Sequence, residues 1–209
     1  MTNPWLDIPL EDYEGHMTSP AVQQLEVLSD LFAEALAFRR PATVAVLGVA
    51  GGNGLDRVDS AITERVVGLD INPIYLDAVS ERYAHLRGLE LHCVDLKKQV
   101  FDTKLHPVQL VHASLFFEFA GVDTGLDNAL KLVAPDGAIS VVLQRPSSSE
   151  STVGKSGFAS LQRLQTHVTL IDPLDFCALM HQQGFQLIHE TENSLVGGKA
   201  FWMGIFVRP

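Results

Sequence analysis

The sequence predicts an α/β protein: a doubly wound, mostly parallel seven-stranded sheet, helices on both faces and a helical N-terminal arm. Three observations carry this. Five apolar, β-branched runs alternate with helical patterns, and a glycine cluster follows the first run. The last two strand-like runs are joined by a link too short for a parallel crossover, so they form an antiparallel hairpin. At 209 residues one domain over 1–209 suffices, with an arm and helix over 1–40 and a sheet core over 41–209.

Ser19 before Pro20 reads as a helix start, a capping side chain followed by a ring that fits the first helical position. Val22, Leu25, Leu28, Leu31, Phe32, Ala35 and Leu36 recur at helical spacing, which predicts a helix over about 20–39. Residues 1–18 remain as an arm. "TVAVLG" (43–48) is apolar on both alternating faces, as a strand covered on two sides must be. "RVVGLD" (65–70), "LELHCV" (89–94), "VQLVHA" (108–113) and "AISVVL" (138–143) follow it. Helix starts between the strands are marked by Asn72 before Pro73, by Asp123, and by Asp172 before Pro173, with Gly184 ending the last helix. "FQLIHETE" and "KAFWMGIFVR", joined by "NSLVGG", make the closing hairpin.

A net charge of −10 disfavours a nucleic-acid partner. No apolar run approaches the roughly 18 residues of a membrane span, and the opening stretch lacks a basic end followed by an apolar run. The expectation is a cytoplasmic monomer or homodimer acting on a small molecule. Cys93 and Cys177 have no CxxC partner and are expected to be small buried apolar residues. No HExxH or other compact ligand spacing predicts a metal, and His92 beside Cys93 reads as strand packing. "VGKS" (153–156) is not a phosphate loop, because Ser149 occupies the first required glycine.

In an open α/β sheet, ligands lie beyond the carboxyl ends of the strands, beside the first βα turn. That turn runs from Gly48 through Val49, Ala50, Gly51, Gly52 and Asn53 to Gly54. Glycine removes the side chain that would hold a ligand off the backbone, and a helix beginning near Gly54 would offer free N–H groups. Asp70 ends the second strand, where a carboxylate can accept from both hydroxyls of a ribose. An adenosine ligand follows. The dinucleotide pattern G-x-G-x-x-G is not met: from Gly48 its second glycine is Ala50, and from Gly52 its last is Arg57.

The glycine turn, Asp70, "CVDL" at 93–96, "VHASLFFEF" at 111–119, the Pro-x-Gly turn in "LKLVAPDGAISVVL" and the final hairpin occur in order over roughly residues 41–207. In this the chain resembles the class I S-adenosylmethionine-dependent methyltransferases, a Rossmann-like family whose sheet ends in such an inserted strand. The resemblance implies S-adenosyl-L-methionine as cofactor, held by Gly48, Val49, Ala50, Gly52 and Asn53 in the turn and by Asp70, Ile71 and Asn72 after the second strand. Asp95 and Leu96 are implied at the adenine, His112 and Ala113 beneath the methionine. The family's acid two residues before the first glycine is Val46 here, so Tyr13 and His16 in the arm, or a backbone carbonyl, are the expected substitutes for it.

The implied chemistry is an in-line methyl transfer governed by alignment and exclusion of water. An alcohol or carbon acid acceptor would need a base, for which His112 and His16 are the candidates, each also readable as a structural histidine. Asp70 and Asp95 are alternatively turn caps, and the arm carrying Trp5, Tyr13 and His16 is either a lid or a surface anchor. Of Phe116, Phe117 and Phe119, one is expected in the pocket, with Glu118 a solvated acid unless it touches substrate. Residues 1–19, 114–122 and 145–167 should select the acceptor; with Arg145, Lys155 and Arg163 among them, an anionic or aromatic molecule fits. Two other functions compete: a non-catalytic cofactor-binding module, and a NAD(P)-dependent oxidoreductase.

Overall fold

The structure, a computed structural model, describes residues 3–98, 105–145, 153, 156–195 and 199–209. Seven strands form one sheet: β1 (Thr43–Leu47), β2 (Arg65–Asp70), β3 (Leu89–Cys93), β4 (Val108–Ser114), β5 (Val133–Gln144), β6 (Gln186–Ser194) and β7 (Ala200–Val207). Their order is β3-β2-β1-β4-β5-β7-β6, with β7 antiparallel to both neighbours and the first five strands parallel. The sheet therefore reverses its winding between β1 and β4, and a crevice opens there. The central strands β1, β4 and β5 are buried on both faces, as their unbroken apolar runs require.

The helices are α1 (Leu10–Thr18), α2 (Leu25–Arg39), α3 (Pro73–Arg82), α4 (Phe117–Ala120), α5 (Thr124–Lys131), α6 (Ala159–Gln162) and α7 (Pro173–Gln182). Leu28, Phe32 and Ala35 of α2 pack with Leu76 and Val79 of α3 on one face, over Val44, Val66 and Leu110. Leu126 and Ala129 of α5, Phe176 and Met180 of α7, and Phe117 cover the other, over Ala45, Val111 and Ile139. Alternation along β4 feeds both layers: Leu110 enters the first, Val111 and Ala113 the second.

Four local expectations change. The arm carries helix α1, and Ser19 ends it instead of starting α2: the Ser19 hydroxyl donates to the His16 carbonyl, and Gln24 N donates back to Met17 O. The chain thus turns through Gln23, at φ +47°, before α2 begins at Leu25. After the glycine turn no α-helix forms, only a 3-10 turn over Leu55–Arg57, so the backbone amides there are spent locally. Strand β5 starts at Val133, ahead of the apolar run, and includes the Pro-x-Gly segment. Cys93 is exposed on the edge strand and Cys177 half-buried, so neither is the buried packing residue expected.

Of the three N-caps expected between the strands, two form. The Asp172 carboxylate accepts from Leu174 N at 2.8 Å, and Asn72 Oδ1 from Ile74 N at 3.0 Å, but Asp123 makes no side-chain cap bond. Asp172→Ala is therefore expected to cost about 1 kcal/mol in chemical denaturation and Asp123→Ala less than about 0.5 kcal/mol. Equal losses would contradict the assignment. Residues 196–198 of the link "NSLVGG", and 146–152 and 154–155 of the loop 146–157, lie outside the described residues.

Candidate functional site

The crevice at the carboxyl ends of β1, β2 and β4 is a cavity of about 780 Å³. That lies within the range of small-molecule and cofactor sites. One wall is the turn after β1. Gly48 adopts φ +66°, a strained conformation for any residue with a Cβ, and a Cβ there would come within 3.2 Å of the Phe116 ring and press it back by a few tenths of an ångström. Ala50 sits at φ +46°, a conformation costly for a residue with a Cβ. Asp70 holds it there.

Asp70 Oδ2 accepts from Ala50 N at 2.9 Å and Oδ1 from Asn72 N at 2.8 Å, so the carboxylate ties the end of β2 to the glycine turn. Burial raises its pKa, and the backbone amides of Asn72, Ala50 and Ile71 partly offset this. Asp70 borders the cavity with Ile71, Asp95 and Leu96, which gives one end an acid flanked by two apolar side chains. Asp95 accepts from Lys97 N at 3.0 Å and pairs with Lys98 at 3.3 Å.

The arm closes the top. Trp5 packs edge-on against Tyr13 and Phe119, and Tyr13 stacks on Tyr75, whose hydroxyl donates to the Ile8 carbonyl at 2.8 Å. Asn72 Nδ2 donates to Trp5 O, and Arg82 binds Glu14, which fastens the arm to α3. Trp5, Tyr13, His16 and Met17 all face the cavity. Burial pushes the Tyr13 hydroxyl well above its ordinary range, so it stays neutral and able to donate.

Of the residues expected at the ligand, Gly48, Ala50, Asp70, Ile71, Asp95, Leu96, Tyr13 and His16 border the cavity. Val49, Gly52, Asn53, Asn72, His112 and Ala113 do not. Val49 is buried in the α2 layer, Gly52 lies against Tyr83, Asn53 donates to Leu25 O at 2.9 Å, and Ala113 belongs to the opposite layer. His112 lies inside the α2 layer, 2% exposed, stacked on Phe32 with Nδ1 3.2 Å from Ser140 Oγ. Burial lowers its pKa to about 3, so this histidine is a neutral packing residue away from the cavity. His16 reaches the cavity, its Nδ1 2.6 Å from Ser156 Oγ, and burial together with Lys199 lowers its pKa.

The residue that sequence reasoning undervalued is Glu118. The short helix α4 turns it inward, 3% exposed, onto the cavity wall. Its Oε1 accepts from Gln144 N at 2.9 Å, while Oε2 has no hydrogen-bond partner among the described residues. Burial pushes its pKa up to about 7, partly offset by the backbone amides of Gln144 and of Glu118 itself. The only sequence signal was an acid set among three phenylalanines. Phe116 and Phe119 both border the cavity, while Phe117 packs on Phe176 in the core. Of the expected cations, Arg145 pairs with Glu192 at 3.4 Å, Arg163 does not border the cavity, and Lys155 lies outside the described residues. Among the described residues no cluster of His, Cys, Asp or Glu could hold a metal, and no helix is long and apolar enough to cross a membrane.

With its strand order, inserted β7 and crevice between β1 and β4, the chain has the class I methyltransferase fold. Among solved structures it is similar to the N-methyltransferase NodS from Bradyrhizobium japonicum WM9 in complex with S-adenosyl-L-homocysteine. That likeness has TM-score 0.68 and 13% identity, and covers 100% of both chains. Magnesium protoporphyrin IX methyltransferase (ChlM) from Synechocystis PCC 6803, with bound S-adenosylhomocysteine, matches at TM-score 0.70 and 11% identity, over 95% of this chain and 94% of that one. The [4+2]-cyclase SpnF matches at TM-score 0.66 and 12% identity, over 90% and 82%, so this architecture is not confined to one reaction. The sequence matches no family model, and no curated protein matches it.

Proposed function

We propose that the chain binds S-adenosyl-L-methionine in this cavity and transfers its methyl group to a small-molecule acceptor. The observation that carries the reading is Asp70, buried at the carboxyl end of β2 beside the switch point and bordering the cavity with Ile71 and Leu96. Asp70 would accept from the ribose hydroxyls, with lone pairs left over after its two backbone bonds. Ile71 and Leu96 would sandwich the adenine, and Asp95 would take its amino group. The Gly48–Ala50 backbone and Tyr13 would face the methionyl part, in the place that Val46, buried in the core, does not fill. When bound, the cofactor supplies an electrophilic methyl on a sulfonium. The arm's aromatic cluster keeps water from the reacting centre, and the remaining space between Glu118, Gln144 and Phe116 receives the acceptor. The presence of S-adenosylhomocysteine in similar structures supports the same cofactor class.

Calorimetric titration with S-adenosylhomocysteine, with NAD and NADP in parallel, tests this. The expected result is micromolar binding of S-adenosylhomocysteine alone. Retention of a nicotinamide cofactor instead would revive the oxidoreductase reading. Cofactor binding with no methylated product from any acceptor, by mass, would make the chain a binding module.

A further inference from the structure

Three acids border the cavity, and two have their carboxylates engaged: Asp70 by the Ala50 and Asn72 amides, Asp95 by the Lys97 amide and the Lys98 ammonium. Glu118 differs. Its Oε1 is fixed by Gln144 N, and its backbone carbonyl is fixed by Thr169 N at 2.8 Å, so the side chain has a set orientation. Its Oε2 is sealed just beneath the cavity wall and has no hydrogen-bond partner among the described residues, so the wall must yield for a ligand to reach it. A carboxylate oxygen is costly to bury without a donor, and is retained where something outside the resting protein supplies one.

We infer that the methyl acceptor is an amine on an apolar body, and that Glu118 receives its ammonium and accepts a proton from it. The inference rests on the methyltransferase reading and names the substrate class for the same site. Phe116, Phe119, Leu161 and Leu164 provide the apolar surroundings. A carboxylate acceptor would meet like charge at Oε2, and an alcohol would leave the acid without a counter-ion. Lys199, which is not without a partner, also borders the cavity, and the comparison with an anionic probe below sets its pull on an anion against that of Glu118 on a cation.

Near neutral pH the Glu118 carboxyl is balanced between its two protonation states, as a proton acceptor must be. The ammonium passes one proton to Oε2, and the freed nitrogen lone pair forms the N–C bond as the methyl–sulfur bond breaks and its electron pair goes to sulfur. The proton then leaves Glu118 for solvent. Other titratable groups facing the cavity are Asp70, Asp95, Lys97, Lys98, His16, Lys199, His167, Tyr13 and Tyr75, so the contribution of Glu118 has to be isolated by substitution.

The test is calorimetry on the full chain saturated with S-adenosylhomocysteine, titrated with phenethylamine at pH 7 in two buffers of different ionisation enthalpy. Binding of the cation pulls Glu118 to its charged state, so release of about half a proton per amine is expected. Glu118→Gln should abolish that release and weaken phenethylamine at least ~10-fold while leaving S-adenosylhomocysteine affinity unchanged. 3-Phenylpropionate and 2-phenylethanol should bind the native chain more weakly than the amine. Phenethylamine that fails to bind, binds without proton release, or binds the variant equally well overturns the inference, as does preference for 3-phenylpropionate. Failure of S-adenosylhomocysteine itself to saturate the chain overturns the methyltransferase reading, and the amine assignment with it.

Discussion

Asp70→Ala is expected to weaken S-adenosylhomocysteine binding on the order of 100-fold and to lower unfolding free energy by about 1–3 kcal/mol. The two losses have different origins. In the proposed cofactor site, binding would fall because two hydrogen bonds from ribose hydroxyls to a charged acceptor disappear, each worth about 1.5–3 kcal/mol with partial compensation from water. Stability falls because the Ala50 and Asn72 amides, now satisfied by Oδ2 and Oδ1, would be left without acceptors in the interior. Relief of the carboxylate's own burial cost offsets part of that loss. Ala50 would also lose the bond that holds it in its left-handed conformation, so the glycine turn should relax. Calorimetry and urea denaturation read the two effects separately. Unchanged affinity with reduced stability would make Asp70 a brace only; loss of affinity at unchanged stability would deny it the brace.

Glu118→Gln should make the protein more stable above pH 7, by up to about 3 kcal/mol. The direction follows from proton counting. Burial lifts the Glu118 carboxyl from 4.5 to about 7, so the folded chain binds more protons than the unfolded chain between those values. Native stability therefore declines as pH rises through that interval and levels off above it. Glutamine does not titrate and can keep the bond from Gln144 N through its carbonyl. The variant's advantage should thus be small below pH 4.5, grow between 4.5 and 7, and then remain constant. Denaturation midpoints at pH 4.5, 6 and 8 give the comparison, and parallel curves for the two proteins would show that Glu118 does not titrate in that interval. A stabilising substitution that removes amine binding is the pattern expected of a residue kept for function at the expense of stability.

Much of the architecture was legible because it rests on local pattern. β2 begins and ends where "RVVGLD" does, and β1, β3 and β4 match their apolar runs to within a residue. Asn72 and Asp172 cap α3 and α7 because an acceptor before a proline has one main local use. The short link after β6 imposed antiparallel pairing, since a parallel strand needs a longer return path. These features depend on near neighbours in the chain, and the sequence by itself determined them: a doubly wound sheet, its closing hairpin, and an acid at the end of β2 beside a glycine turn.

What the chain alone did not determine depends on distant contacts. Ser19 had the composition of a helix start, but it ends α1 because the arm folds back over the crevice and Trp5 finds Phe119 more than a hundred residues away. His112 was open to two readings, a base or a structural histidine, until strand alternation placed its ring on Phe32 and off the cavity lining. Glu118, one short helix further on, was turned the other way and tied by Gln144 N, an amide 26 residues distant. Only the tertiary structure decided which acid is exposed to water and which is sealed among aromatic rings, and desolvation acts on that difference. The same carboxylate that water would keep charged is brought by burial to the point where it can take a proton.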